Sequence, residues 1–346
     1  MEYEFLGRSG LEVSRLTFGT MTFGGGEWYV HSGNSPQEEA TDLVDLCLEA
    51  GVNCFDTADG YSRGKSEEIL GKALGKRRDD AIISTKVFYP MGSGRHDLGL
   101  SRRHIIQACE ASLTRLGTDY IDLYQLHEYD SLTPLEESLS ALETLVEQGK
   151  VRYVGCSNFS GWHLMKALGI QDKRGYEPMI SQQVYYSLVA RELEHELVPL
   201  SHDQNVGMLI WSPLAFGLLS GKYRRDKPKP EKTRLAHWST PGTVDYEKLY
   251  NIVDLLELIA KERGKTIPQV ALNWLLRKPT VTSIIIGARN ADQLKDNLGA
   301  VGWALTPDEV ERLDKASELA LPYPYWHQIL WSEDRNKNIA HAPRRS

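Results

Sequence analysis

Cysteine is scarce in this 346-residue chain, and the four present, Cys47, Cys54, Cys109 and Cys156, form no CxxC pair and have no CxxH companion. A structural zinc site or a disulfide framework needs such clustering, so neither is expected. Each cysteine falls in an apolar run, where a free thiol packs as a small hydrophobe, a usage that suits a reducing cytosol. Long hydrophobic runs are also missing. No window approaches about 18 uninterrupted apolar residues, which argues against a membrane span. The opening MEYEFLGRSGLEVS is charged early and lacks an apolar stretch of signal-peptide length, so a cytoplasmic location is the expectation. No long basic block occurs either. With 40 Lys and Arg against 47 Asp and Glu, the formal net charge of −7 argues against a nucleic-acid or membrane-surface binder, while leaving room for local cations that hold phosphates.

What the chain does have is rhythm. Ser9-Gly10 sits between two short alternating segments and predicts an N-terminal hairpin. Short runs of strand formers then alternate with stretches of helical period. LTFG (16–19) precedes a helix over about 36–50, VNCFDT (52–57) one near 65–75, AIISTK (81–86) one near 101–116, and YIDLYQLH (120–127) one near 133–148. VRYVGCS (151–157), MISQQVYY (179–186) and VGMLIWS (206–212) each open a further unit, and TSIIIG (282–287) makes an eighth strand before a helix over about 291–299. Eight such alternations fit a parallel sheet closed into a (β/α)₈ barrel. A doubly wound open sheet would place a GxGxxG turn after its first strand; Gly24-Gly25-Gly26 lies instead in a long loop. No shift in composition marks a boundary, so residues 1–346 are expected to form a single domain. The rhythm breaks at 222–243, a basic, proline-rich loop after strand seven, and at the irregular tail from 320 to 346, both candidate walls of a pocket.

Barrel chemistry gathers at the C-terminal ends of the strands. Strand two ends in Asp56 with Tyr61 just beyond, strand three in Lys86 and strand four in His127. A carboxylate, a phenol, an ammonium and an imidazole therefore converge on one rim. That set suits reduction of a carbonyl, where negative charge grows on oxygen and a proton must arrive there. A tyrosine, with a reference pKa of about 10, donates slowly unless a cation stabilises its phenolate. Lys86 would supply that cation, Asp56 would keep it charged, and a neutral His127 could orient the carbonyl oxygen. Asp130 and Glu128 read as surface groups. A barrel hydrolase or lyase using Asp56 and Asp59 as paired carboxylates is the more remote alternative.

In these residues the chain resembles the aldo-keto reductase superfamily, in its bacterial and plant branch related to channel β-subunits. The matching motifs, in order, are FDTADGY (55–61), Lys86, LHEYD (126–130), GCSNF (155–159), QQVYYSL (182–188), WSPLAFGLLSGKY (211–223) and IIIGARNADQLKDN (284–297). The resemblance implies NADP(H)-dependent interconversion of aldehydes or ketones with alcohols, with Asp56, Tyr61, Lys86 and His127 as the tetrad. It implies that Ser157, Asn158 and Gln183 grip the nicotinamide carboxamide and that Trp211 stacks on the ring. Ser212, Leu214, Gly217, Leu219, Ser220, Gly221 and Lys222 match the loop over the pyrophosphate, with the cations from Lys222 to Arg225 above it. Gly287, Arg289, Gln293 and Asn297 match the adenosine end, Arg289 reading the 2′-phosphate. Trp28, Tyr89 and Trp326, with Tyr29, Phe88, Trp238 and Tyr325, are the expected aromatic lining for a small-molecule aldehyde or ketone. A coenzyme-sensing subunit of a larger complex with little or no turnover is the alternative function. The sequence leaves monomer and homo-oligomer open.

Overall fold

The computed structural model describes residues 1–25, 34–226, 228, 235 and 244–338, with side chains up to residue 332. Two short strands, β1 (Tyr3–Phe5) and β2 (Glu12–Ser14), pair antiparallel as the predicted hairpin. Eight parallel strands follow: β3 (Leu16–Gly19), β4 (Cys54–Asp56), β5 (Ile82–Val87), β6 (Ile121–Leu126), β7 (Val151–Ser157), β8 (Met179–Tyr185), β9 (Gly207–Trp211) and β10 (Val281–Ile286). They close in chain order, β10 pairing with β3, which is the expected (β/α)₈ barrel. Around it run α1 (Gln37–Glu49), α2 (Lys65–Leu74), α3 (Arg102–Leu116), α4 (Leu135–Glu147), α5 (Gly161–Arg174), α6 (Leu197–Gln204), α7 (Tyr246–Arg263), α8 (Ile267–Leu276) and α9 (Ala291–Leu298). Predicted and observed edges differ by one or two residues, as fraying ends would allow.

Two cores hold this together. The larger lies between sheet and helices, and Phe55, Leu70, Tyr124, Leu142, Leu256 and Trp274 are fully or almost fully buried in it. The smaller fills the barrel interior, where Leu6 and Val13 of the hairpin meet Cys54, Leu123, Ile180 and Leu209. The hairpin is thus a plug for the N-terminal mouth. Its turn fits because Gly7 adopts φ +58°, where a Cβ would stand 2.3 Å from the Ile180 carbonyl oxygen. With that mouth closed, the opposite one is left for chemistry. All four cysteines are buried and free, and burial raises their thiols, Cys54 and Cys109 to about 12. No described helix is long and apolar enough to cross a membrane.

Two more helices lie beyond the barrel. The α10 helix (Pro307–Ala316) opens on a capping box, Thr306 with Glu309, and packs on α7, where Arg263 forks onto Glu309 at 2.7 and 2.8 Å. The tail read as irregular contains α11 (Tyr325–Asn338). Trp326, Ile329, Leu330 and Trp331 are exposed on it, so the missing apolar-inward periodicity hid the helix from the sequence. Most of the expected loop at 222–243 lies outside the described residues.

Candidate active site

Strand register delivers the four strand-end groups to one place. Asp56 of β4 pairs with Ser84, Lys86 of β5 with Gln125, and His127 follows β6. Lys86 is fully buried, and Asp56 and His127 are nearly so. The Lys86 ammonium donates to Asp56 Oδ2 at 2.7 Å and to the Thr57 carbonyl at 2.8 Å, with the Tyr61 hydroxyl 3.4 Å away. Ser84 Oγ and Gln183 Nε2 donate to the other Asp56 oxygen, at 3.1 and 2.8 Å. Three donors on its two oxygens, Lys86 Nζ, Ser84 Oγ and Gln183 Nε2, thus fix the Asp56 carboxylate in place. Burial pulls Lys86 below the usual lysine range, and Asp56 acts against that pull. His127 is driven far below the usual histidine range, first by burial and then by the Lys86 charge, so its ring is neutral. The rings of Tyr61 and His127 meet edge to face at 5.8 Å.

Above this cluster opens a cleft of about 880 Å³. Tyr61, His127 and Tyr89 line one end, Ser157, Asn158, Gln183 and Trp211 the middle, and Ser212, Leu214, Gly217, Ser220, Gly221 and Lys222 the stretch beyond. Gly287, Arg289, Gln293 and Asn297 close the far end, beside the start of α9. In the middle, Trp211 is stacked on Tyr185 at 4.8 Å and donates its indole N–H to Asn158 Oδ1 at 3.1 Å. Ser157 Oγ donates to the Gln183 carbonyl at 3.0 Å. Gln183 thereby links the middle of the cleft to Asp56, a connection that the QxxY spacing does not reveal. The backbone here is unusual: Asn158, Ser212, Ala215 and Phe216 all have φ between 48° and 57°. For Phe216 that conformation costs free energy, partly offset where its N–H donates to Ser212 Oγ at 3.0 Å.

Several expectations are corrected. Leu219 is fully buried in the core and does not line the cleft. Arg224 and Arg225 turn away to Asp254, Glu257 and Glu247 of α7, so of the cations from Lys222 to Arg225 Lys222 is the one that lines the cleft. Trp326 sits exposed on α11, Tyr325 stacks on His195, and neither lines the cleft; Phe88 packs against the core. Tyr89 does line it, its ring 4.8 Å from His127. Trp28, Tyr29 and Trp238 lie outside the described residues. Asp59 is fully buried, away from the cleft, and both its oxygens lack a hydrogen bond; the nearby Gly60 amide does not meet it in bonding geometry. Burial first, then the Glu67 charge, hold its carboxyl well above the usual range. Asp56 lines the cleft and Asp59 does not, so the paired-carboxylate alternative has no second group there.

Of the cleft's acids, Glu128 was expected at the surface and lines the cleft instead, and Asp296 was not singled out from the sequence. Glu128 is half-buried and its Oε1 accepts from Tyr89 OH at 2.9 Å and Asn158 Nδ2 at 3.0 Å, while burial raises its carboxyl. Asp296 lines the far end, its Oδ1 accepting from Thr266 at 2.9 Å and Gln269 at 3.0 Å. Asp130, by contrast, takes backbone N–H groups of Leu100 and Leu132 and organises its own loop. Among the described residues no group of three or more His, Cys, Asp or Glu is placed to hold a metal.

The sequence pattern of the Aldo/keto reductase family matches residues 15–318. The chain is 38% identical over 325 residues to "Uncharacterized oxidoreductase YrpG" of Bacillus subtilis (strain 168), covering 91% of this chain and 95% of that one. It is 37% identical over 335 residues to "Versiconal hemiacetal acetate reductase" of Aspergillus parasiticus, covering 91% and 96%. It is also 36% identical over 323 residues to "Probable voltage-gated potassium channel subunit beta" of Arabidopsis thaliana, with the same coverages of 91% and 96%.

Proposed function

Starting from a chain that belongs to the aldo/keto reductase family, we propose that it reduces an aldehyde or ketone to the alcohol, reversibly, with NADPH and a proton from Tyr61. One observation carries the reading: a fully buried lysine, held by Asp56 at 2.7 Å, stands 3.4 Å from a phenol at the floor of the cleft beside a neutral imidazole.

The cleft suits the coenzyme in the chemistry of its donors. Neutral amides and a hydroxyl (Asn158, Gln183, Ser157) surround its middle beside the indole of Trp211, and they match a carboxamide on an aromatic ring. The Lys and Arg residues that line the cleft, among the described residues, are Lys222 and Arg289, and both lie in the arm where phosphates would rest. Arg289 stands just before the N-terminus of α9, where backbone N–H groups add to its attraction for the 2′-phosphate that separates NADPH from NADH. Bound there, the nicotinamide supplies a hydride to the carbonyl carbon.

The protein's part is the proton and the charge. Tyr61 donates its hydroxyl proton to the carbonyl oxygen, and the Lys86 ammonium stabilises the phenolate left behind. Asp56 keeps that ammonium charged in a site where an unpaired one would lose its proton. His127 Nδ1 is buried and without a partner. An orphaned acceptor is the cheaper choice, so the proton sits on Nε2, which is free to donate to the carbonyl oxygen and orient it. Four buried free thiols fit a reducing cytoplasm.

Consumption of NADPH with 4-nitrobenzaldehyde tests the reading. Turnover supports the reductase. Tight NADPH binding with no turnover of a panel of aldehydes and ketones would favour the coenzyme-sensing alternative, which the potassium-channel relative keeps open.

A further inference from the structure

The tetrad leaves one charged group at the carbonyl end of the cleft without a task. Of the acids lining the cleft, Asp56 is committed to Lys86, and Asp296 belongs to the far end on α9. Glu128 remains. It follows His127 directly in the chain, and Tyr89, whose ring lies 4.8 Å from His127, donates to it at 2.9 Å. Both bonds it accepts, from Tyr89 and Asn158, fall on Oε1; among the described residues Oε2 accepts none. Two fixed donors on one oxygen hold the carboxylate in place and leave the other oxygen to the cleft. The cleft-lining cations Lys222 and Arg289 follow β9 and β10, and β10 lies across the barrel from β6, which Glu128 follows. Among the described residues, the free charge presented to a bound carbonyl compound is therefore negative.

We infer that Glu128 is a specificity-determining residue that favours carbonyl substrates bearing a hydrogen-bond donor or a positive charge and rejects carboxylates. The inference rests on the carbonyl reductase reading above. A half-buried carboxylate meets a like charge with repulsion that water screens poorly, and it gains a charge-assisted hydrogen bond from a donor.

Three para-substituted benzaldehydes that differ in charge test it with NADPH: nitro (neutral), carboxylate (negative) and trimethylammonium (positive). The readout is the kcat/KM of the trimethylammonium compound divided by that of the carboxylate, measured on one enzyme, so any general loss from disturbing Asn158 cancels. The wild-type protein should prefer the positive compound by at least about tenfold, Glu128→Gln should reduce the ratio by about tenfold, and Glu128→Lys should invert it. A ratio in Glu128→Gln within about twofold of wild type overturns the role of Glu128 while leaving the reductase reading intact. Failure of the wild-type protein to turn over any of the three overturns both.

Discussion

At one end of the cleft Lys86, Asp56 and His127 are each less than a tenth exposed, whereas Lys222, Gly287 and Arg289 toward the other are open to solvent. The buried end is wired through short bonds from several strands, with Ser84, Gln183 and Thr57 all feeding the Lys86–Asp56 pair. The open end stands on a loop and the first turn of α9, organised locally: Asn290 caps the helix and Gln293 accepts the Arg289 backbone N–H at 3.0 Å. Burial makes electrostatics strong and loss of a partner costly, which suits groups that must not move during a reaction. Exposure makes each contact weaker and more nearly independent, which suits reading a phosphate that must also leave. The two ends should therefore respond differently to the loss of one cation.

The largest effect should come from Lys86→Met. It strands a buried Asp56 and should cost about 3–5 kcal/mol of stability along with nearly all turnover. Adding Asp56→Asn should recover much of the stability and none of the activity. A Lys86→Met protein as stable as wild type to urea would erase the contrast between the two ends.

Arg289→Ala should instead leave stability alone and weaken NADPH by roughly 1–3 kcal/mol, with NADH affinity nearly unchanged. Equal losses for the two coenzymes, titrated at one fixed salt concentration, would remove Arg289 as the reader of the 2′-phosphate.

The smallest effect sharpens the buried side. Asp59 is fully buried and its carboxyl is raised well above the usual range, so the folded chain holds that proton more tightly than the unfolded one. Its stabilisation is whole below the unfolded pKa of about 3.9 and is lost as pH climbs toward the folded value. Asp59→Asn does not titrate. The melting temperature of the variant should therefore gain on wild type as pH rises above the unfolded carboxylate range. A gap that is constant with pH would mean that Asp59 is ionised in the fold.

The buried end was the more legible in the sequence, and for the same reason. Asp56 closes β4, Lys86 stands one residue before the end of β5 and His127 directly follows β6, so a strand assignment good to a residue places them on one rim. Glu128 stands one residue further on, and its burial depends on Tyr89 from the loop after β5, a contact without a local signal. Arg224 and Arg225 misled for the opposite reason. Their charge suggested phosphate, but α7 brings Asp254, Glu257 and Glu247 within reach, and only the tertiary arrangement shows it. The α10 helix did carry a local signal, Thr306-Pro-Asp-Glu309, which the count of strand-helix units passes over.

Tyr61→Phe examined by stopped flow tests the central claim most directly. The variant removes one hydroxyl at the floor of the cleft and leaves the Lys86–Asp56 pair, Trp211 and Arg289 in place. Mixed with saturating NADPH and 4-nitrobenzaldehyde, it should transfer hydride about 10²–10⁴-fold more slowly than wild type while binding NADPH with nearly the same affinity. A wild-type rate of hydride transfer in Tyr61→Phe would contradict the assignment of Tyr61 as the proton donor.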